Sequence, residues 1–153
     1  MLAWCYWGGY GCQEVDEARS LELARESSGK GSRYGQYVLG VLYEDGEGGF
    51  AQDYAQAVAF YRLAAAQNLD VAQNNLGYMH SKGFGVAENF AAALRLYQLA
   101  AAQGHPKALY NVARCHEHGL GVRKHQAEAI RLYRRAQAAG HPKAAAALQR
   151  LRA

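Results

Sequence analysis

The sequence predicts an all-α fold, a stack of antiparallel helix pairs, and three observations predict it. The first is a repeat. The stretch from Leu76 to Asn111, LGYMHSKGFGVAENFAAALRLYQLAAAQGHPKALYN, is followed by nearly the same text and preceded by about two more copies. Internal periods of this size decide an architecture before any other signal. The matching positions Ala3, Gly40, Gly77 and Ala113 are spaced by 37, 37 and 36 residues. The second observation is punctuation. Each unit carries a Gly-x-Gly loop (Gly9/Gly11, Gly46/Gly48, Gly83/Gly85, Gly119/Gly121) and a later stop at Gly31, Asn68, Gly104 or Gly140. Gly and Asn tolerate the left-handed conformation that ends helices, so each unit has two helix stops. The third is periodicity. Ala72, Leu76, Met79 and His80 share one helical face, as do Ala93, Leu96, Tyr97, Ala100 and Ala101, and spacings of three and four define amphipathic helices. No strand pattern occurs.

In chain order, helices are expected at about 16–29, 33–45, 53–67, 70–82, 89–103, 106–118, 125–139 and 142–152, with ends uncertain by two to four residues. Asp53, Asn89 and His125 precede second helices of the pairs, and Asp53 with Gln56 has capping-box spacing. Pro106 and Pro142 fall just inside first helices, where a missing N–H costs nothing. The repeats run at about 2–38, 39–75, 76–111 and 112–147, with 142–152 as a capping helix, all in one domain of 1–153. The chain opens at Leu2, already midway through a first helix. Either the natural chain is longer or this end has lost its first turn, so residues 1–10 are expected to be less stable than the rest.

Composition narrows the function classes. Half of the 153 residues are apolar, but no apolar run reaches the roughly 18 residues that span a bilayer. No basic segment followed by an apolar core opens the chain, so the cytoplasm is the default compartment. Cys5 and Cys115 stand where Leu42 and Met79 stand in other repeats, and Cys12 stands where Val86 and Val122 do. All three read as small buried hydrophobes, although Cys5 and Cys12 could pair. Residues 1–70 hold 5 basic and 10 acidic side chains, and residues 71–153 hold 12 and 3. The basic end includes Arg123, Lys124, Arg131, Arg134, Arg135, Lys143, Arg150 and Arg152. Polyanion or nucleic-acid binding through this end is the alternative reading, but the end lacks the interleaved aromatics of a single-strand platform, so nucleic acid is not the expected partner.

No nucleophile elbow or phosphate loop is present. His116, His118 and His125 are the histidines to weigh as a metal cluster. His116 and His118 are two residues apart and point to different sides of a helix, so no metal site is expected. His105 and His141 recur in Gly-His-Pro-Lys at equivalent helix starts and read as structural echoes. The chain is therefore read as a non-enzyme without cofactors.

The repeat resembles the Sel-one-like repeat (SLR), a relative of the tetratricopeptide repeat. The pattern is carried by Ala72, Leu76, Gly77, His80, Gly83, Gly85, Val86, Ala93, Tyr97, Ala100, Ala101 and Gly104 in the third unit. His80 and His116 depart from Tyr6 and Tyr43, and the loop Gly46–Phe50 is one residue longer than its counterparts. The cysteines do not recur per repeat, so the disulfide-stapled branch of the family is not indicated. The resemblance implies an α/α superhelical solenoid, right-handed, of about four units plus a capping helix. It also implies a scaffold or adaptor role, with first helices lining a concave face. On that face an extended peptide or protein would meet Trp4, Trp7, Tyr37, Glu44, Asn74, Tyr78, Ser81, Tyr110, Arg114 and Glu117. Aromatics and arginine are enriched in binding hot spots. The competing expectation is that the tyrosines pack between adjacent helices.

Overall fold

The computed structural model describes residues 17–152. Among them are eight α-helices and no strand: α1 Glu17–Gly29, α2 Arg33–Asp45, α3 Tyr54–Ala66, α4 Asp70–Lys82, α5 Phe90–Ala102, α6 Pro106–His118, α7 Gln126–Ala138 and α8 Ala144–Arg152. Trp4, Trp7, Cys5, Cys12 and the expectation about residues 1–10 lie outside the described residues.

The chain divides into two compact units, Met1–Leu69 and Asp70–Ala153. In the first, α1 packs on α2 and α2 on α3. Ala24, Leu39 and Leu42 are buried there, with Leu21, Val38, Phe50 and Phe60 packed against them. The longer loop before α3 keeps an apolar residue three positions before the cap, Phe50 standing where Val86 and Val122 stand, and it serves this core. Phe50 meets the Tyr43 ring edge-on at 4.5 Å, and Tyr43 stacks on Phe60 at 5.6 Å. In the second unit each helix packs on the next, from α4 to α8. Small residues dominate its core: Ala93, Ala100, Ala108, Ala113, Ala129, Ala136 and Ala144 are all fully buried. Facing alanines let helix backbones approach, and larger side chains such as Leu109, Leu132 and Leu148 fill between them.

The punctuation works as the sequence implies. Gly31, Asn68, Gly104 and Gly140 have φ of 78°, 59°, 84° and 86°, and Asn68 is the one non-glycine with positive φ among the described residues. The loop between paired helices also closes the same way each time. The N–H of Asp53, Asn89 and His125 donates to the carbonyl of Tyr43, His80 and His116 respectively, at 2.8 Å in each case. Asp53 accepts from the N–H groups of Ala55 and Gln56, Asn89 from Ala92, and His125 accepts through Nδ1 from Glu128. Each satisfies N–H groups that a helix start leaves without an intrahelical partner.

One boundary differs. Pro106 opens α6, but Pro142 and Lys143 form a turn, and α8 starts at Ala144. The preceding histidines differ in the same way. His105 caps α6, its Nδ1 accepting from the Ala108 N–H at 3.2 Å. His141 instead stacks on the Tyr110 ring at 4.2 Å, and its Nδ1 has no hydrogen-bond partner among the described residues. Identical tetrapeptides thus start their helices differently.

Candidate functional site

A first-helix residue four positions after the Gly40-type landmark meets a second-helix tyrosine in each of the three hairpins whose two helices are both described. Tyr61 donates to the carboxylate of Glu44. Tyr97 donates to Ser81 Oγ at 3.4 Å. Tyr133 donates to Glu117 Oε2 at 2.6 Å, and Arg150 Nη2 donates to both Glu117 oxygens at 2.7 and 3.0 Å. Local packing builds this meeting. A methyl placed on Gly40 would lie 2.6 Å from the Tyr61 ring, and one on Gly77 would lie 2.8 Å from the Tyr97 ring. At Gly40 and Gly77 the ring thus packs directly on first-helix backbone, whereas Ala113 takes that position opposite Tyr133.

Electrostatics distinguish the copies. Burial pushes the Glu44 carboxyl above its ordinary value despite the Tyr61 hydrogen bond. Burial acts the same way on Glu117, but Tyr133 and Arg150 outweigh it and hold that carboxyl below the ordinary range. The Tyr97 phenol is pushed up to about 12 by burial, against the smaller pull of Ser81 and Arg114, so it stays a donor.

In the second unit a cavity of about 330 Å³ opens at the Tyr97–Ser81 pair. Tyr78, Ser81 and Lys82 of α4, Glu88 and Leu120 from loops, Phe90 and Tyr97 of α5, and Asn111, Arg114 and Cys115 of α6 line it. Tyr78 is 40% exposed. Its ring meets Phe84 edge-on at 6.2 Å and lies 6.0 Å from the Lys82 ammonium. Arg114 is exposed and has no hydrogen-bond or ion-pair partner among the described residues. Cys115 is buried and unpaired, and burial raises its thiol to about 11, which fits a small hydrophobe.

Of the residues expected on a binding face, Tyr78, Ser81 and Arg114 meet around this cavity. Others face inward. Asn74 is 6% exposed and accepts from Asn111 Nδ2 at 3.0 Å, while Glu117 is 7% exposed and held by Tyr133 and Arg150. The expectation that these two face solvent is corrected: each is a buried polar group satisfied by a neighbouring helix. Tyr37 and Tyr110 pack on the second-helix tyrosines, Tyr37 on Tyr61 at 5.9 Å and Tyr110 on Tyr133 at 5.2 Å. Glu44 is half-buried against Tyr61.

Sequence reasoning missed Lys82, Phe90 and Asn111. It also missed an amide pair, present in two hairpins, that ties the ends of α3 and α5 back to α2 and α4: Gln67 donates to Gln36 at 2.8 Å and Gln103 to Gln73 at 2.9 Å. The signal was available, because Gln36 and Gln73 share one repeat position. Of the basic residues, Arg131 is paired with Glu128 and Arg150 with Glu117, whereas Arg123, Lys124, Arg134, Arg135 and Lys143 are exposed. His125 serves as a helix cap, and no group of three or more His, Cys, Asp or Glu among the described residues could hold a metal.

Repeated helical hairpins, joined by a Gly-x-Gly loop and pinned by a second-helix tyrosine against a small first-helix residue (Gly40, Gly77 or Ala113), define a helical-repeat scaffold. The Sel1 repeat family model matches residues 1–32, 33–69, 70–105 and 106–141, so the chain belongs to the Sel1 repeat family. The fold is the helical repeat solenoid of that family, four repeats plus a terminal helix. Among solved structures it is similar to a protective antigen with an SLR fold from uropathogenic Escherichia coli, at 34% identity and a TM-score of 0.82 over 91% of this chain and 29% of that one. It is also similar to a Sel1 repeat protein from Oxalobacter formigenes, at 26% identity and 0.85 over 96% and 59%. Cysteine rich protein B of Helicobacter pylori, at 17% identity and 0.66 over 92% and 100%, shares the fold. The chain thus spans under a third of the E. coli antigen and about three fifths of the Oxalobacter protein. No curated protein matches the chain significantly in sequence. Sel1 repeats generally mediate protein–protein interaction, and the family is a non-catalytic scaffold family.

Proposed function

We propose that this chain is a non-enzymatic interaction module that takes an extended peptide or protein segment along the exposed face of its first helices, centred on α4 and α6. The observation that carries the reading is the cavity rimmed by Tyr78 and Arg114, an exposed aromatic and an exposed guanidinium on successive first helices. Tyrosine and arginine supply much contact area and directed hydrogen bonding for little lost freedom, and they dominate interface hot spots. No helix among the described residues is long and apolar enough to cross a membrane.

The test is affinity capture followed by mass spectrometry, comparing the chain with a Tyr78→Ala/Arg114→Ala variant of equal thermal stability. Loss of the captured proteins from the variant supports the reading, and unchanged capture refutes it. The competing reading is polyanion binding through the exposed Arg123, Lys124, Arg134, Arg135 and Lys143. It is separated by salt, because polyanion binding falls steeply as salt rises.

A further inference from the structure

The last two described hairpins are offset by 36 residues, and the offset superposes three functional groups. Ser81, Tyr97 and Arg114 correspond to Glu117, Tyr133 and Arg150. In the later copy these three form a closed network: the carboxylate of Glu117 accepts from Tyr133 at 2.6 Å and from Arg150 at 2.7 Å. His118 Nε2 stands 3.6 Å from the same carboxylate, and its counterpart is Lys82. In the earlier copy every cation and donor is retained, and the carboxylate is replaced by a serine hydroxyl.

Serine does not complete the network. Tyr97 reaches Ser81 Oγ at 3.4 Å, beyond the usual hydroxyl–hydroxyl distance. Ser81 donates its own proton to the Tyr78 carbonyl at 2.8 Å. Arg114 makes no ion pair among the described residues. Space remains where the glutamate side chain would lie, and the cavity of about 330 Å³ is lined by Ser81, Tyr97, Arg114 and Lys82. Glu88, at the position of Lys124, lines it too, and it pairs with neither cation among the described residues.

We propose that this cavity is a carboxylate-binding site, filled by the acidic side chain of an aspartate or glutamate in a bound peptide, which occupies the place Glu117 occupies one repeat later. Charge-assisted hydrogen bonds from a guanidinium and a phenol are short and strong, and an unpaired arginine beside a neutral donor is prepared for one. A side chain is the assigned donor because the internal occupant of the equivalent site is a side chain. Asn111 beside it donates one amide N–H to Asn74 and keeps a second for the peptide backbone. The inference deepens the interaction-module reading and names the chemistry of its partner.

The test titrates the chain with N-acetylglutamate amide, with uncharged N-acetylglutamine amide, and with N-acetylglycine, whose only carboxylate is at the chain end. The readout is the Arg114 Nε–Hε and Ser81 amide resonances. The acid is expected to bind at least about tenfold more tightly than its amide. Arg114→Gln is expected to abolish that preference. Ser81→Glu should fill the site from within, removing acid binding and raising Tm, with the gain reversed by adding Arg114→Gln. Equal binding of acid and amide overturns the proposal, as does retention of the preference in Arg114→Gln. Tighter binding of N-acetylglycine overturns the side-chain assignment, and shifts confined to Arg123, Lys124 and Arg134 overturn the location. These probes need no protein partner, so failed capture and a failed titration refute different claims.

Discussion

Gly77 and Tyr97 are in contact so close that a single methyl on the glycine would stand 2.8 Å from the ring. The same relationship joins Gly40 to Tyr61. In the following repeat the position is Ala113, fully buried opposite Tyr133. A mid-helix glycine normally costs about 1 kcal/mol relative to alanine, so its use at Gly40 and Gly77 marks a packing need. Gly77→Ala is expected to destabilise by about 1–3 kcal/mol despite the better helix propensity, because the buried ring must move. Ala113→Gly is expected to lose about 1 kcal/mol. Urea melts of both variants check the pair, and a stabilised Gly77→Ala would show that the ring yields freely.

Glycines at helix ends divide into two kinds. Gly104 has φ of 84° and open space where a side chain would sit, so Gly104→Ala carries only the conformational penalty, about 1 kcal/mol. Gly121 has φ of 68°, and a methyl there would meet the Phe90 carbonyl oxygen at 2.4 Å. Gly121→Ala should therefore cost clearly more than Gly104→Ala. Parallel thermal melts decide the order, and equal losses would remove the steric argument.

The network at Glu117 gives a coupled prediction. Tyr133→Phe removes a donor from a buried carboxylate and is expected to cost about 1–3 kcal/mol. Arg150 is itself exposed, so Arg150→Met is expected to cost less while moving the Glu117 carboxyl upward. A double-mutant cycle should show positive coupling between the two. Glu117 adds stability above the ordinary glutamate range, and this is lost as pH falls through its lowered folded value. Glu44 has the opposite sign: its raised folded value favours the fold at acid pH, and the gain fades as pH rises through that value. Acid titration followed by carbonyl NMR should find Glu117 ionised at a pH where Glu44 is still protonated.

His105 makes α6 sensitive to pH. Its capping Nδ1 must be unprotonated to accept from Ala108. Burial lowers its folded value, Asp70 opposes the shift and Lys107 adds to it. A lowered value means stability is present above the unfolded histidine value, about 6.5, and is lost as pH falls through the folded one. His141 is shifted the same way by burial and by Lys107 and Lys143, but it caps nothing. His105→Asn, which keeps a capping acceptor, should therefore flatten the fall of Tm between about pH 7 and 5 more than His141→Asn does. Superimposable pH profiles for the two variants would show that the cap is not the sensitive group.

How far the site was legible differs from residue to residue. Tyr78 and Arg114 were readable as an exposed aromatic and an exposed cation on one helical row, since helical spacing alone sets which residues share a face. Asn74 and Glu117 lie on that row too, yet they are buried. Whether such a position faces solvent depends on what the next helix places beside it: Asn111 in one case, Tyr133 and Arg150 in the other.

The fold was decided locally. Helix ends, caps and hairpin loops follow from φ preferences and from side chains that satisfy helix-terminal N–H groups, and these forces act within a few residues. That is why the eight helices of the described chain were legible from residue order alone. Tertiary structure decided which polar residues are inside and where a space is left open. Those outcomes depend on contacts between residues 16 to 37 positions apart, as in Tyr133 with Glu117 or Asn111 with Asn74. The sequence contains both Ser81 and Glu117, and only the packing of α4, α5 and α6 shows that the difference between them leaves an unpaired arginine beside an open cavity.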